Sequence, residues 1–251
     1  MVIAGNHDFT LDAPVFQEKI NDAWRLQSVD PMEIQREHGS PCLIEELFSE
    51  AQEFGINFLH EGTNHFTLET SASLTVYASP YTPSLGSWGD WGFQYAVQQG
   101  HCFAIGQDVD IVMTHCPPQG ILDTTKTVQR AGSTDLFEAV ARARPRMHCF
   151  GHIHAGWGAK LVRWRKMVSE RPSHLTDIDN GESLTIARLC ELTRRGHLNH
   201  VTEPATALVI LLLYSRVLRY FFINVAIEDS GDISGHPAWF VDLELMKSDE
   251  R

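Results

Sequence analysis

Asn6 and His7 in Gly5-Asn6-His7-Asp8, His115 directly after Met113-Thr114, and His152 with His154 in Gly151-His152-Ile153-His154 put one amide and four imidazoles into three short segments. Neutral imidazole nitrogens and amide oxygens are donors for Zn²⁺, Mn²⁺ or Fe²⁺, so the set points to a metal site. A lone histidine beside a strand is more often an ordinary hydrogen-bonded group. That plain reading goes to the remaining histidines, His38, His60, His65, His101, His148, His174, His197, His200 and His236. The joint pattern of the three segments is what speaks for ligands.

Such donors need rigid carriers, and each segment follows a short apolar run that reads as a strand: Val2 to Ala4, Val109 to Met113 and Met147 to Phe150. Runs of this kind fit strands buried on both faces, and a strand ending in a ligand aims its donor from a fixed point. Gly5 and Gly151 sit just before ligands, where a missing Cβ permits a sharp turn and close approach. Elsewhere helix and strand signals alternate. Ala13 to Trp24 and Ser40 to Phe54 carry apolar residues at helical spacing, with Asp12 as N-cap before Pro14. Thr134 to Ala143 predicts a helix capped near Ser133 or Thr134; Leu74 to Ala78 and Phe222 to Ile227 predict strands, Asn224 standing at a loop-facing edge.

The three segments, with Tyr77-Ala78-Ser79-Pro80-Tyr81-Thr82-Pro83, His115-Cys116-Pro117-Pro118 and Gly151-His152-Ile153-His154-Ala155-Gly156-Trp157-Gly158, resemble the calcineurin-like metallophosphoesterases, and among them a small single-domain subgroup. The resemblance covers roughly residues 1 to 165, resumes at 222 to 227 and ends near 245. It implies an α/β fold, the metallo-dependent phosphatase four-layer sandwich in which two packed mixed sheets are flanked by helices. The expected domain is single, residues 1 to 251, with 163 to 221 a divergent insertion.

The resemblance also implies roles. Asn6, His115 and His152 match ligands of one metal, His154 a ligand of the other, and His7 the general acid that protonates the leaving alkoxide. Beside that match, the neighbour Asp8 reads either as a group that orients the His7 ring or as a solvated loop carboxylate. The family's Asp-x-His motif and bridging Gly-Asp would precede Met1, so the expected fold is N-terminally truncated; the plain Gly-Asp pairs here, Gly89-Asp90 and Gly231-Asp232, follow the Asn-His motif instead. Two divalent ions 3.5 to 4 Å apart repel by roughly 17 kcal/mol at an effective dielectric near 20, and neutral donors offset none of it. The cofactors implied are therefore divalent ions of the Mn, Fe or Zn type, two in a complete family site and at most one here. The expected activity is metal-dependent hydrolysis of a small phosphomonoester or phosphodiester, nucleotides included. The alternatives are a catalytically impaired metal- or nucleotide-binding relative and a structural zinc protein using His115, His152 and His154.

Composition sets outer limits. The 251 residues, 43% hydrophobic and 21% charged, suit one sizeable core. A net charge of -12 argues against a nucleic acid polymer as partner, since that needs cations to displace counterions. Five Cys without a Cys-x-x-Cys pair read as reduced thiols, and a cytoplasmic location is the default; Cys116 and Cys149 read as small buried thiols. The apolar run Ala207 to Tyr214 is too short for the ~20 residues of a membrane helix, and Arg216 and Arg219 follow it; it reads as core. The loop Ser84 to Tyr95, with Trp88, Trp91 and Phe93, has the composition to lay an aromatic face beside a base, and 177 to 181 reads as a turn. Without a first strand-helix-strand unit one sheet would expose apolar surface, so low solubility is expected.

Overall fold

The computed structural model describes residues 1–84, 91–188, 208–212, 219–226, 239–243 and 245. Its strands are β1 (Gly62–Thr67), β2 (Ser73–Ser79), β3 (Thr82–Ser84), β4 (Gln94–Ala96), β5 (Ile111–Thr114), β6 (Met147–Phe150), β7 (Gly158–Arg163), β8 (Leu184–Arg188), β9 (Leu208–Leu212), β10 (Arg219–Asn224) and β11 (Trp239–Leu243). The helices are α1 (Ala13–Gln27), α2 (Pro31–His38), α3 (Pro41–Ala51) and α4 (Thr134–Ala143). Seven strands form one mixed sheet in the order β1-β2-β5-β6-β10-β7-β8. Its centre, β2, β5, β6 and β10, is parallel, and β1, β7 and β8 pair antiparallel at the two flanks. The fold is α/β. Among the described residues no helix is long and apolar enough to cross a membrane.

The central strands are buried on both faces because alternate residues serve different layers. Tyr77, Val112, Phe150, Val162 and Phe222 pack with Leu136, Phe137, Val140 and Ala141 of α4. Leu136 and Val140 are fully buried, which is worth about 1.5–3 kcal/mol for each such side chain. α4 starts where Ser133 Oγ accepts from Leu136 N at 3.0 Å. On the opposite face Ala159, Phe221 and Ile223 pack with Trp239 and Val241 of β11, whose partner in a parallel pair is β9.

Several expectations shift. Val2 to Ala4 forms only an isolated parallel bridge, Val2 to Phe58, because the chain touches its neighbour over Asn57 to Leu59 alone, with Val2 N donating to Asn57 O and Leu59 N to Val2 O. The strand expected at 109–113 is Ile111–Thr114, that at 74–78 extends to Ser73–Ser79, and that at 222–227 is Arg219–Asn224. α1 runs on to Gln27, and α3, expected over 40–54, ends at Ala51 in a 3-10 turn, Gln52–Phe54. Met147–Phe150 and Thr134–Ala143 lie where expected. α2 was not foreseen; Asp30 caps it by accepting from Met32 N, with Pro31 at the first position. Of the apolar run 207–214, residues 208–212 form β9; Gly89-Asp90, Trp88 and Gly231-Asp232 lie outside the described residues, as does much of 163–221. At 177–181 the expected turn is present, Asp179 Oδ1 accepting from Gly181 N and Glu182 N.

His148 is fully buried on the α4 side of β6 and in register with Val112 and Phe222. Its Nε2 bonds Thr114 Oγ1 at 2.8 Å, and Thr114 Oγ1 donates to Cys116 O. Burial pushes its pKa from 6.5 down to about 3. Above pH 6.5 both folded and unfolded forms are neutral and the full stability is present. Below it the unfolded chain takes a proton the folded chain refuses, so stability falls by up to about 1.4 kcal/mol per pH unit. Urea midpoints measured between pH 7 and 4 are expected to fall with pH, and His148→Gln, which cannot titrate, to flatten that fall.

Candidate functional site

The carboxyl ends of β5, β6 and β10 open at one edge of the sheet, the edge where α/β folds place ligand sites. His115 follows β5, and its backbone is tied on both sides: its N–H donates to Ser79 O and its C=O accepts from Gly151 N, both at 3.0 Å. Its ring reaches the Asn6 segment, where Nε2 donates to Asn6 Oδ1 at 2.7 Å. Asn6 is 95% removed from solvent, at 5% exposure. Gly5 makes this approach possible, since a Cβ there would lie 2.6 Å from His115 Cε1. The matching expectation for Gly151 fails, because nothing stands within 4 Å of where its Cβ would be.

His152 lies with its ring centroid 4.7 Å from that of His115. It holds a left-handed backbone, φ 62°, a strained conformation for a residue with a Cβ and one that concentrates at functional sites. His154 starts the 3-10 turn His154–Gly156. His7 projects from the Asn6 turn and packs against Trp91, centroids 4.2 Å apart. The backbone next to Trp91 holds the same turn, Gly92 N donating to Asn6 O. Asp8 does not orient the His7 ring; its Oδ2 accepts from Gly5 N at 2.7 Å and closes the turn.

The imidazoles feel one another. Burial, then His152, His7 and His154, pushes His115 from 6.5 down to about 3. Burial, then His154 and His7, pushes His152 down to about 4. Both rings are thus neutral at pH 7, the form that offers a nitrogen lone pair. Cys116 is the buried thiol expected and Cys149 a half-buried one; burial pushes each up to about 12.

A residue outside the expected ligand set fixes the His152-His154 turn. Fully buried Asn224, at the end of β10, donates from Nδ2 to Ile153 O at 2.9 Å and to Leu122 O at 3.1 Å, and accepts from Ala226 N on Oδ1. Its position at a strand end was visible in the sequence, but its two carbonyl partners, 71 and 102 residues away, were not.

The donors fit one divalent ion in chemistry. Asn6 Oδ1 and His115 Nε2 share a hydrogen bond at 2.7 Å; both are atoms a divalent ion takes once the His115 proton sits on Nδ1 instead. The rings as placed do not close around it: among the described residues no three His, Cys, Asp or Glu side chains gather in a group able to hold a metal ion. Nor does any carboxylate contribute to the shifts of His115 or His152. The neutral set therefore does not fit a pair of ions.

No family model matches the chain. Metallophosphoesterase domain-containing protein 1 of Homo sapiens and its namesake of Mus musculus are each 31% identical over 166 residues, 63% of this chain and 45% of theirs. UPF0046 protein T07D4.2 of Caenorhabditis elegans is 28% identical over 179 residues, 67% of this chain and 41% of that protein. The chain spans less than half the length of these curated relatives. They support a metallophosphoesterase-like family for it, in line with the motif resemblance.

Asn224→Ala removes the donor to Leu122 O, one of the two donors to Ile153 O, which Gly156 N also reaches, and the acceptor for Ala226 N, each lost bond costing about 0.5–1.5 kcal/mol. It is expected to lower the denaturation midpoint and shift the ring resonances of His152 and His154 in NMR spectra, leaving those of His65 in place. Gly5→Ala is expected to displace the His115 ring instead.

Proposed function

We propose that the chain hydrolyses a small phosphoric ester, mono- or diester and nucleotides included, with metal assistance. The observation that carries this is the meeting of Asn6, His115 and His152, with His7 and His154 in electrostatic range, at the carboxyl ends of β5 and β6. The metallophosphoesterase-domain relatives support the same class of reaction.

Asn6, His115, His152 and His154 would hold the ion, which when bound supplies Lewis-acid polarisation of a phosphoryl oxygen and acidifies water. The protein's own residues do the rest. Burial keeps the His115 and His152 rings neutral at pH 7, as a metal ligand must be. The hydrogen bond from His115 fixes Asn6 Oδ1. His7, held by Trp91 and exposed to solvent, is the group we assign to protonate the departing oxygen. We extend the reading to a single domain built as the four-layer sandwich, acting in the cytoplasm on small substrates; the acidic balance of -12 supports small esters over nucleic acid polymers.

The all-neutral donor set favours a second reading, phosphate or nucleotide binding without turnover. Purified chain with Mn²⁺ or Zn²⁺ and a 4-nitrophenyl phosphodiester separates the two. Turnover that disappears in His115→Ala supports the hydrolase. Nucleotide binding by calorimetry with no metal-stimulated hydrolysis supports the binder and refutes it. For the hydrolase, His7→Ala is expected to lower kcat by about 10²–10⁴ on an alkyl ester, the range of general acid catalysis, and by much less on the nitrophenyl ester, whose leaving group needs no proton.

A further inference from the structure

The -12 net charge makes a local surplus of cations conspicuous. One lies beside the His152-His154 turn, assembled from parts of the chain far apart in sequence. Lys160 sits on β7 in register with fully buried Phe222 and with Thr185 of β8. It is half-buried, and its Nζ donates to the amide oxygen of Asn180 at 3.3 Å rather than to a carboxylate. Asn180 Nδ2 in turn donates to His174 O, and the His174 ring lies against Gly120. Gly120 N donates to Asp123 Oδ2, and Asp123 Oδ1 pairs with Arg130 Nη1 at 2.8 Å. Arg188, exposed at the end of β8, bonds only a hydroxyl among its described contacts, Thr185 Oγ1 at 3.3 Å.

The charges in this group do not cancel. Asp123 is fully buried and already accepts from Arg130, Gly120 N and Gly132 N. Its charge is spent on Arg130, which leaves the ammonium of Lys160 and the guanidinium of Arg188 in excess. Burial, then Arg188 and Arg130, pushes Lys160 below its ordinary range, with no carboxylate opposing among the described residues. Gathering cations on a fold costs energy that a bound anion returns, and guanidinium with ammonium is the donor set phosphate takes.

We propose that Lys160 and Arg188, which β7–β8 pairing brings onto adjacent strands, form a phosphate subsite bordering the Asn6–histidine group. The connection is direct: Gly158, two residues before Lys160, pairs with Asn224, and Asn224 ties Leu122, next to Asp123, to Ile153 between the two turn histidines. The occupant is a phosphate group, carried either on the ester itself as a second phosphate or free in solution. The first source rests on the hydrolase reading; the second stands without it.

Calorimetry of the full chain with inorganic phosphate at low salt tests the subsite. Wild type is expected to bind, Lys160→Gln and Arg188→Gln each to weaken binding about tenfold or more, as the loss of a charge-assisted bond predicts, and Lys160→Arg to keep it. His115→Ala is expected to leave phosphate binding intact, which separates this inference from the hydrolase reading. Arg188 lies at an exposed strand end, so its variant decides the matter if Lys160→Gln does not fold. A second arm compares KM for 4-nitrophenyl phosphate and for a nucleoside 5′-diphosphate. A rise in Lys160→Gln for the diphosphate alone makes the substrate the source, and loss of phosphate binding with both KM values unmoved makes it the free anion. Phosphate affinity indifferent to both Lys160→Gln and Arg188→Gln, or no binding at tens of millimolar phosphate, overturns the proposal.

Discussion

His115 is gripped by its own peptide groups before its ring does anything. With its N–H on Ser79 and its C=O on Gly151, it links the ends of β2, β5 and β6 into one rigid corner. The ring can then only lie over Gly5, where no Cβ obstructs it, and meet Asn6. Shifting β5 by one residue against either neighbour would turn His115 to the other face of the sheet. The geometry of the donor group is in this sense a by-product of parallel pairing.

What the sequence made legible follows the range of the forces involved. The helix Thr134–Ala143 was readable because its cap, Ser133, and its apolar stripe are local. The strand Met147–Phe150 was readable because it is a short apolar run with one face, His148 and Phe150, buried and the other half-buried, and so continuously suited to a sheet. α2 escaped because eight residues with few apolar groups carry almost no periodic signal, although Asp30-Pro31 marked its start. β8 escaped because Leu184–Arg188 gains its place only by pairing with β7 at the sheet edge. The five candidate residues stood out by type and spacing, whereas Asn224 and the Lys160 group depend on contacts across tens to a hundred residues.

The site and its surroundings differ in charge logic. Around Asn6 the protein has removed charge, burying imidazoles that stay neutral. A short distance along β7 it has instead collected cations around one saturated aspartate. A neutral donor set beside a cationic rim suits a ligand that brings its own negative charge. The acidic remainder of the surface discourages long polyanions from settling elsewhere.

The sheet order has a consequence for how the molecule comes into being. β10 is inserted between β6 and β7, though β7 follows β6 directly in the chain and β10 emerges some 60 residues after β7 begins. During synthesis β6 and β7 must therefore wait with a strand-wide gap between them, their backbone groups open to water or to one another. Closing a loop of that length is slow, because its entropy is lost before the contacts repay it. Since Asn224 arrives on β10, the turn bearing His152 and His154 takes its final shape only after that strand has been made.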